Sequence, residues 1–319
     1  MHVRRPLAAP GGHGVSPGFT LLELLVMMGI LSVLTGMAIG MLGRTDPQMV
    51  TASILGGEWR AAQVTARSQG VPTEVWVRPG ADGEAATVQS LLLRPVTTFG
   101  FEPGQVVFAE AYRPTLGGED VPGGRFGHAR RTLPGDRNAL LRWPVDAGVM
   151  DLRDGFVCRL DLWIESRARG TVLRLPPAVD LGIDDELRPT ARFRLRGDKG
   201  PGLAAVVSEV ALPLQRWCTI DVCCNGRTAW LQLDGREIAT AAAEGSPLQE
   251  GSGVFEVSPA DAPLLGLVDE VRWFVYEFAP AQSLPIEMRP ARVYRFAYDL
   301  RGDPTAEPEI KWLSPQEDA

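Results

Sequence analysis

Carboxylate side chains are the first residues of this sequence to consider for chemistry, because they can bind calcium or catalyse glycoside hydrolysis. Asp151, Asp154 and Asp269 are weak candidates for a calcium site, since loop carboxylates supply the oxygen ligands that Ca²⁺ prefers. Each of them could equally cap a turn. Asp234, in the sequence Leu-Asp-Gly, is interpreted as a hairpin-turn residue. Calcium is therefore the one cofactor that the sequence suggests, and no other cofactor is expected.

Glycoside hydrolysis would need two carboxylates about 5 to 9 Å apart that face one cleft. The most acidic strand pattern is VDEVRWF, in which Asp269 and Glu270 are adjacent and are expected on opposite faces. Histidine chemistry is limited too, because His128 is the only histidine beyond the first thirteen residues. From His128 alone we expect neither a histidine-based triad nor a zinc cluster, and we expect no catalysis by this chain.

The cysteines are predicted to be structural. Cys218 and Cys224 share a strand face with apolar neighbours, and Cys158 lies on the apolar face of another strand. Cys223 points the other way and is a candidate for exposure. Spacing does not determine pairing, so a disulfide that involves Cys158 stays open.

Short strands with turn signals position these residues. FVCRLDLWIE alternates, with Phe156 to Ile164 predicted as a strand whose even-numbered residues share one face. Asn-Gly and Asp-Gly pairs separate three further strands, as expected for an antiparallel sandwich. Trp217 and Trp273 fall on such strands. They would suit a sugar platform only if they faced a groove, and core positions are the stronger expectation.

Composition excludes one class of partner. The 319 residues carry a formal net charge of −7 and show no basic stripe. Nucleic acid binding is therefore not expected.

The N-terminal region contains a long apolar run. Phe19 to Leu42 includes a single charge, Glu23, and a helix of this length would span about 36 Å, enough to cross a bilayer. Arg4 and Arg5 precede the run, so the leader is expected to stay cytoplasmic. The sequence predicts a single-pass protein of the inner (cytoplasmic) membrane with a periplasmic or extracellular C-terminal domain.

The residues GFTLLE, followed by the apolar run, resemble the type IV prepilin and pseudopilin signature. The resemblance implies that prepilin peptidase cleaves between Gly18 and Phe19 and that Phe19 is N-methylated. It also implies that Glu23 pairs with a neighbouring subunit's amine during filament assembly. The implied partners are prepilin peptidase, other pilins or pseudopilins and an inner-membrane assembly platform.

Glycines recur within the same run. Gly36 and Gly40 form a GxxxG pair, while Gly29, Gly36 and Gly43 are spaced seven apart and share one face. Such a face predicts close helix packing. Scattered small residues without a packing role are the open alternative.

Two further resemblances suggest a division into domains. EWRAAQVTARSQGVPTEVWV and the C-terminal strand pair resemble H-type minor pseudopilins, and GRFGHA, LPLQRW, NGRTAWLQLDGREI and LVDEVRWF resemble a laminin-G-like (concanavalin A-like) jelly roll. Members of the jelly-roll superfamily bind glycans or proteins. The expected fold class is α+β: a long membrane-spanning helix followed by a small pilin-type β-sandwich that an antiparallel jelly roll interrupts. The predicted segments are a leader (1–18), a membrane helix (19–43), its extension (44–70), a pilin-type β-domain (71–98 and 286–319) and the jelly roll (99–285).

The functional expectation that follows is a minor pilin or pseudopilin of a type II secretion or type IV pilus-like filament, which displays the jelly roll and a glycan or protein ligand site. The alternative is an adhesin or glycan-binding protein that uses the pilin segment as a carrier. A membrane-tethered glycan hydrolase is the weaker third interpretation.

Overall fold

The computed structural model describes residues 25–32, 46–80, 85–102, 112–197, 200–249, 251–286, 292–296 and 309–312. The chain divides into two compact units, residues 1–50 and residues 51–319. Residues 25–32 of the first unit form helix α1, and helix α2 spans Pro47–Gln69.

Helix α2 has clear local start and stop signals. The Asp46 carboxylate accepts a hydrogen bond from the Gln48 amide at 2.9 Å, which caps the helix that begins at Pro47. At the other end Gly70 adopts a φ of 64° and donates its amide hydrogen to the Ala66 carbonyl at 2.8 Å. The helix therefore ends before the first strand begins.

Two sheets make up the second unit. The larger, sheet A, contains twelve strands of the described residues. They are β1 (Thr73–Arg78), β2 (Thr87–Phe99), β4 (Glu119–Gly124), β5 (Gly127–Arg131), β7 (Phe156–Ile164), β12 (Trp217–Cys224), β13 (Thr228–Leu233), β14 (Arg236–Ala242), β17 (Gly266–Phe278), β18 (Gln282–Ser283), β19 (Arg292–Phe296) and β20 (Glu309–Trp312). Its main path runs β14-β13-β12-β7-β17-β2-β1-β19-β20.

Sheet B contains eight strands of the described residues, in the main order β11-β10-β9-β8-β16-β6-β3. They are β3 (Thr115–Leu116), β6 (Leu141–Asp146), β8 (Gly170–Leu175), β9 (Val179–Ile183), β10 (Pro189–Gly197), β11 (Gly200–Val207), β15 (Ser246–Pro247) and β16 (Ser252–Val257).

The inner faces of the two sheets form the main core. Strand β7 contributes every second residue from Phe156 to Ile164, which confirms the face predicted from its alternation. Trp273 of β17 is fully buried and stacks on Phe156 with ring centroids 5.1 Å apart. Phe255 of sheet B meets the same indole at 4.9 Å. These aromatic contacts join the two sheets into a β-sandwich.

A second apolar layer forms on part of the outer face of sheet A. It joins Val71, which precedes β1, to outward side chains of the sheet itself, namely Leu91, Leu93, Val157, Cys223, Trp230, Phe274 and Tyr276. Helix α2 lies on the neighbouring strands, where Ala62 and Ala66 contact Val75, Val77 and Val88. The outer face is thus apolar where it is covered.

The predicted domain boundary between residues 98 and 99 falls inside β2. This strand pairs with β1 on one side and with β17 on the other, so one sheet continues across the boundary. The assignment of residues 99–285 to a separate jelly-roll domain stays a prediction.

The predicted α+β fold class is wrong. Strands account for 52% of the structure and helices for 14%, and the described residues form a β-sandwich of jelly-roll type rather than a helix-led pilin fold. The apolar run at the N-terminus dominated the prediction, whereas the paired strands dominate the structure.

Within the described residues, no helix is both long and apolar enough to cross a membrane. The predicted single-pass inner-membrane location is not supported by this finding, and most of its predicted membrane helix (19–43) lies outside the described residues. Gly18, Phe19, Glu23, Gly36, Gly40 and Gly43 lie outside the described residues. Gly29 lies in α1, where an added Cβ would meet nothing within 4 Å.

Candidate functional site

The outer face of sheet A changes from apolar to polar along each strand. On β7, Val157 belongs to the covered apolar layer, and the next outward residues are Arg159, Asp161 and Trp163. On β12 the matching residues in register are Asp221, Thr219 and Trp217. Beyond the apolar layer this face therefore combines aromatic and polar side chains, a composition typical of ligand sites.

Two tryptophans lie side by side at this end. Trp163 of β7 and Trp217 of β12 are directly opposite in register, with ring centroids 6.0 Å apart and planes at 61°. Both are half-buried. The expectation that Trp217 lies in the core is wrong, while the core position of Trp273 is confirmed.

The tip of the β4–β5 hairpin covers the polar residues beside them. Arg125 Nη1 donates to Asp161 Oδ1 at 2.6 Å and to Thr219 Oγ1 at 2.8 Å. The Phe126 amide donates to Asp269 Oδ2 at 2.9 Å. The Phe126 ring itself is 55% exposed, so the hairpin places a third aromatic group over this end of the sheet.

We refer to Trp163, Trp217, Phe126 and Arg125 as the aromatic face. Asp161 and Thr219 are each two residues from one of the tryptophans on the same strand, a separation of about 6.8 Å along the strand. Arg216 and Asp234 flank Trp217 and are 3.5 Å apart. Asp234 has a φ of 50° in the turn after β13, as predicted, and its carboxylate also accepts from the Thr219 amide at 2.9 Å.

Three carboxylates gather beneath the hairpin tip. Strand β17 has an irregularity between Asp269 and Arg272, and Glu270 adopts a φ of 46° there. Glu270 Oε2 accepts from Arg272 Nε at 3.0 Å. Burial, and to a smaller extent the charge of Glu270, raises the pKa of both Asp161 and Asp269. The expectation that Asp269 and Glu270 face opposite sides is wrong, because the bulge interrupts the alternation.

Burial is the main cause that raises the pKa of Asp161 and of Asp269. A raised carboxyl pKa is a feature of general acids. Asp161 is only 2% exposed and Asp269 is fully buried, however. Asp161 Oδ1 accepts hydrogen bonds from Arg125 and Thr219, and Asp269 Oδ2 accepts one from the Phe126 amide. In this arrangement the two carboxylates hold the hairpin tip in place.

The calcium candidates are not brought together. Asp151 pairs with Arg153 at 2.6 Å, just before β7, whereas Asp269 lies in register with Asp161 near the other end of that strand. Asp154 also precedes β7, near Asp151, and burial raises its pKa. Among the residues that the structure describes, no group of three or more His, Cys, Asp or Glu side chains could hold a metal ion.

The cysteines are buried free thiols, as predicted for Cys158, Cys218 and Cys224. Burial raises the pKa of Cys218 and of Cys224 to about 12, which keeps both protonated. Cys223 does point to the outer face, but the second apolar layer covers it and it is not exposed. The disulfide that the sequence left open is not formed.

Sequence reasoning missed Trp163, Phe126 and Arg125. Trp163 could have been found, because it shares the polar face of β7 with Arg159 and Asp161. Residues on that face point away from the core, so an indole there is expected to be accessible. Nothing in the sequence indicated that the β4–β5 hairpin folds over this face, since its anchors are more than 30 residues away.

No family model and no curated protein matches the chain. Among solved structures, it is similar to domain 4 of AbnA, a GH43 extracellular arabinanase from Geobacillus stearothermophilus, in complex with arabinotriose. The two are 13% identical, with a TM-score of 0.42, over 57% of this chain and 93% of that domain. The binding domain of botulinum neurotoxin DC in complex with SialylT is 10% identical, with a TM-score of 0.38, over 61% of this chain and 48% of that one.

The interpretation as a type IV prepilin or pseudopilin is wrong. The described residues form a β-sandwich into which the flanking strands β1 and β2 are paired, rather than a helix-led pilin fold. The expected partners of the pilin pathway have no support in this fold.

The buried carboxyls predict a pH effect on stability. Because Asp161 and Asp269 have raised pKa values in the native state, the native state holds protons that the unfolded chain has released above about pH 4. Their contribution to the free energy of unfolding therefore falls as pH rises through this window. We expect Asp269→Asn to make that fall less steep, measured by urea unfolding at closely spaced pH values. Identical slopes for the variant and the native sequence would contradict the burial of this charge.

Proposed function

We propose that this chain is a glycan-binding module and that the aromatic face holds the sugar. The observation that carries the proposal is the pair of half-buried indoles, Trp163 and Trp217, in register on neighbouring strands. The C–H faces of sugar rings are apolar and pack well against such rings, which removes apolar area from water on both sides.

Polar groups around the indoles support the same proposal. Arg125 retains 30% side-chain exposure and Arg216 retains 67%, so both guanidiniums have donors to offer to sugar hydroxyls. Asp234, at 28% exposure, offers a carboxylate acceptor next to Trp217. A few directed polar groups around an apolar platform give orientation and specificity to a ligand.

The proposed function is to bind a glycan without hydrolysing it. A glycosidase needs an acid and a second carboxylate that both reach the scissile bond. Asp161 and Asp269 are held under the hairpin tip instead, and Glu270 is 15% exposed and paired with Arg272. Sugar positioning is the role that this geometry supports best.

A glycan array probed with the full chain tests the proposal. We expect binding to one structural class of oligosaccharide, and we expect Trp217→Ala to weaken it about tenfold or more, because truncation of a central aromatic anchor has a cost of this order. Trp217→Phe should retain most of the affinity. Leu203→Ala, which removes an apolar side chain of 68% exposure from sheet B, is the matched control and should have no effect.

Release of reducing sugar from the bound glycan is measured in parallel. Turnover that Glu270→Gln abolishes would favour a hydrolase and overturn binding alone. Absence of glycan binding by the native chain, or binding that Trp217→Ala leaves unchanged, would overturn the proposed site.

A further inference from the structure

A row of arginines lies on the outer face of sheet B, on the other side of the sandwich from the aromatic face. Arg192, Arg194 and Arg196 alternate with the buried residues of β10 and are all exposed. Their positions recur about every 6.8 Å along the strand. The row is a regular line of positive charge on a chain whose formal net charge is −7.

Arginines elsewhere on this face have acidic partners. Arg174 of β8 pairs with Asp180 at 3.4 Å and with Asp261 at 3.0 Å. Arg142 of β6 pairs with Glu256 at 3.5 Å. In these strands each positive charge meets a negative one, as is usual for a face that has only to stay soluble.

On β10 the arginines lack acidic partners of this kind within the part of the chain that the structure describes. Arg192 lies opposite Asp180 in register, but that carboxylate pairs with Arg174. Arg194 and Arg196 lie opposite Leu203 and Pro201 of β11. None of the three guanidiniums forms an ion pair with a carboxylate of the described residues.

Apolar side chains run beside the arginines. Leu203 and Val207 of β11 are 68% and 62% exposed, and they lie on the same face as the arginine row because they are in register with Arg194 and Thr190. We call the two lines, Arg192–Arg194–Arg196 and Leu203–Val207, the arginine strip. Unpaired cations next to exposed aliphatic groups are typical of an interaction surface.

We propose that the arginine strip binds an extended peptide segment of a partner protein that carries acidic side chains at alternating positions. An extended chain places every second side chain on one face at the same spacing of about 6.8 Å, so three carboxylates can face three guanidiniums in register. The residues between the carboxylates then face away from sheet B, so the aliphatic line contacts the backbone of the segment. Charge complementarity selects an acidic partner.

Fluorescence anisotropy with a labelled synthetic peptide tests this proposal on the full chain. The probe is a short peptide in which three aspartates alternate with valines, and the comparison peptide has the same composition with the aspartates adjacent. We expect the alternating peptide to bind more tightly and its affinity to fall with added salt. The triple variant Arg192→Ser/Arg194→Ser/Arg196→Ser should weaken binding about tenfold or more.

The matched control removes the same charge elsewhere. The triple variant Arg137→Ser/Arg153→Ser/Arg169→Ser changes arginines that are exposed outside the strip, and it should leave the affinity for the alternating peptide within about twofold. Equal binding of the two peptides, or equal loss in both triple variants, would overturn the proposal. Binding of polygalacturonate but of neither peptide would assign the strip to an anionic polysaccharide and would also overturn it. None of these outcomes depends on Trp217, so the glycan proposal is tested separately.

Discussion

Asp221→Ala should lower the free energy of unfolding by about 3 to 5 kcal/mol, because it leaves a buried guanidinium without its counter-charge. Arg159 is 8% exposed and Asp221 is 1% exposed. Their two hydrogen bonds measure 2.7 Å from Nε to Oδ1 and 2.8 Å from Nη2 to Oδ2. Arg159 Nη1 also donates to the Gln69 carbonyl at 2.8 Å, so the pair ties the end of α2 to the sandwich.

Two control variants test whether the loss of stability in Asp221→Ala comes from a charge that is both buried and unpaired. The double variant Arg159→Met/Asp221→Leu removes both charges and should be far less destabilised than Asp221→Ala, since an apolar pair can replace a buried ion pair at little cost. Glu277→Ala breaks the exposed pair with Arg94, whose side chains are 52% and 62% exposed, and should change the free energy by about 1 kcal/mol or less. Chemical denaturation measures all three. An effect of Asp221→Ala no larger than that of Glu277→Ala would show that the pair is not buried.

Trp273→Ala should cost about 3 to 5 kcal/mol of unfolding free energy, because it empties the centre of the sandwich. The indole is fully buried between Phe156 of the same sheet and Phe255 of the opposite one. Its Nε1 has no hydrogen-bond partner, so Trp273→Phe removes an unsatisfied buried donor while it keeps a ring in the stack.

The comparison of these variants with Trp217→Ala tests which indole belongs to the core. Thermal and urea unfolding should show Trp273→Ala as the most destabilised variant. The stability of Trp273→Phe should lie between that of Trp273→Ala and that of the native sequence. Trp217→Ala should lose only about 1 kcal/mol, the contribution of its contact with Trp163. The reverse order of Trp273→Ala and Trp217→Ala would mean that the two faces of sheet A are wrongly assigned.

Local patterns predicted the strands of the sandwich well. The alternation from Phe156 to Ile164 gave the correct inner face, and the Asn-Gly and Asp-Gly pairs mark real turns, with φ of 78° at Gly226 and 81° at Gly235. These signals succeed because burial and turn geometry act on residues that are close in sequence.

Long-range packing was not predictable in the same way. The bulge at Glu270 reverses an expected side-chain direction, and the apolar layer around Val71 buries Cys223, which alternation alone places outside. The pairing of β2 with β17 joins the predicted flanking domain to the predicted insertion. Each of these depends on residues far apart in the chain. The short GFTLLE pattern led to the wrong family because a six-residue match contains no information about such pairings.

Nuclear magnetic resonance of the indole N–H groups tests the central claim, glycan binding at the aromatic face, most directly. The full chain is titrated with the oligosaccharide that binds best on the array, and each indole signal is assigned by single Trp→Phe variants. We predict that the signals of Trp163 and Trp217 shift together and saturate at the same ligand concentration, while those of the buried Trp143 and Trp273 stay fixed. Saturable shifts that spare Trp163 and Trp217 would contradict the claim.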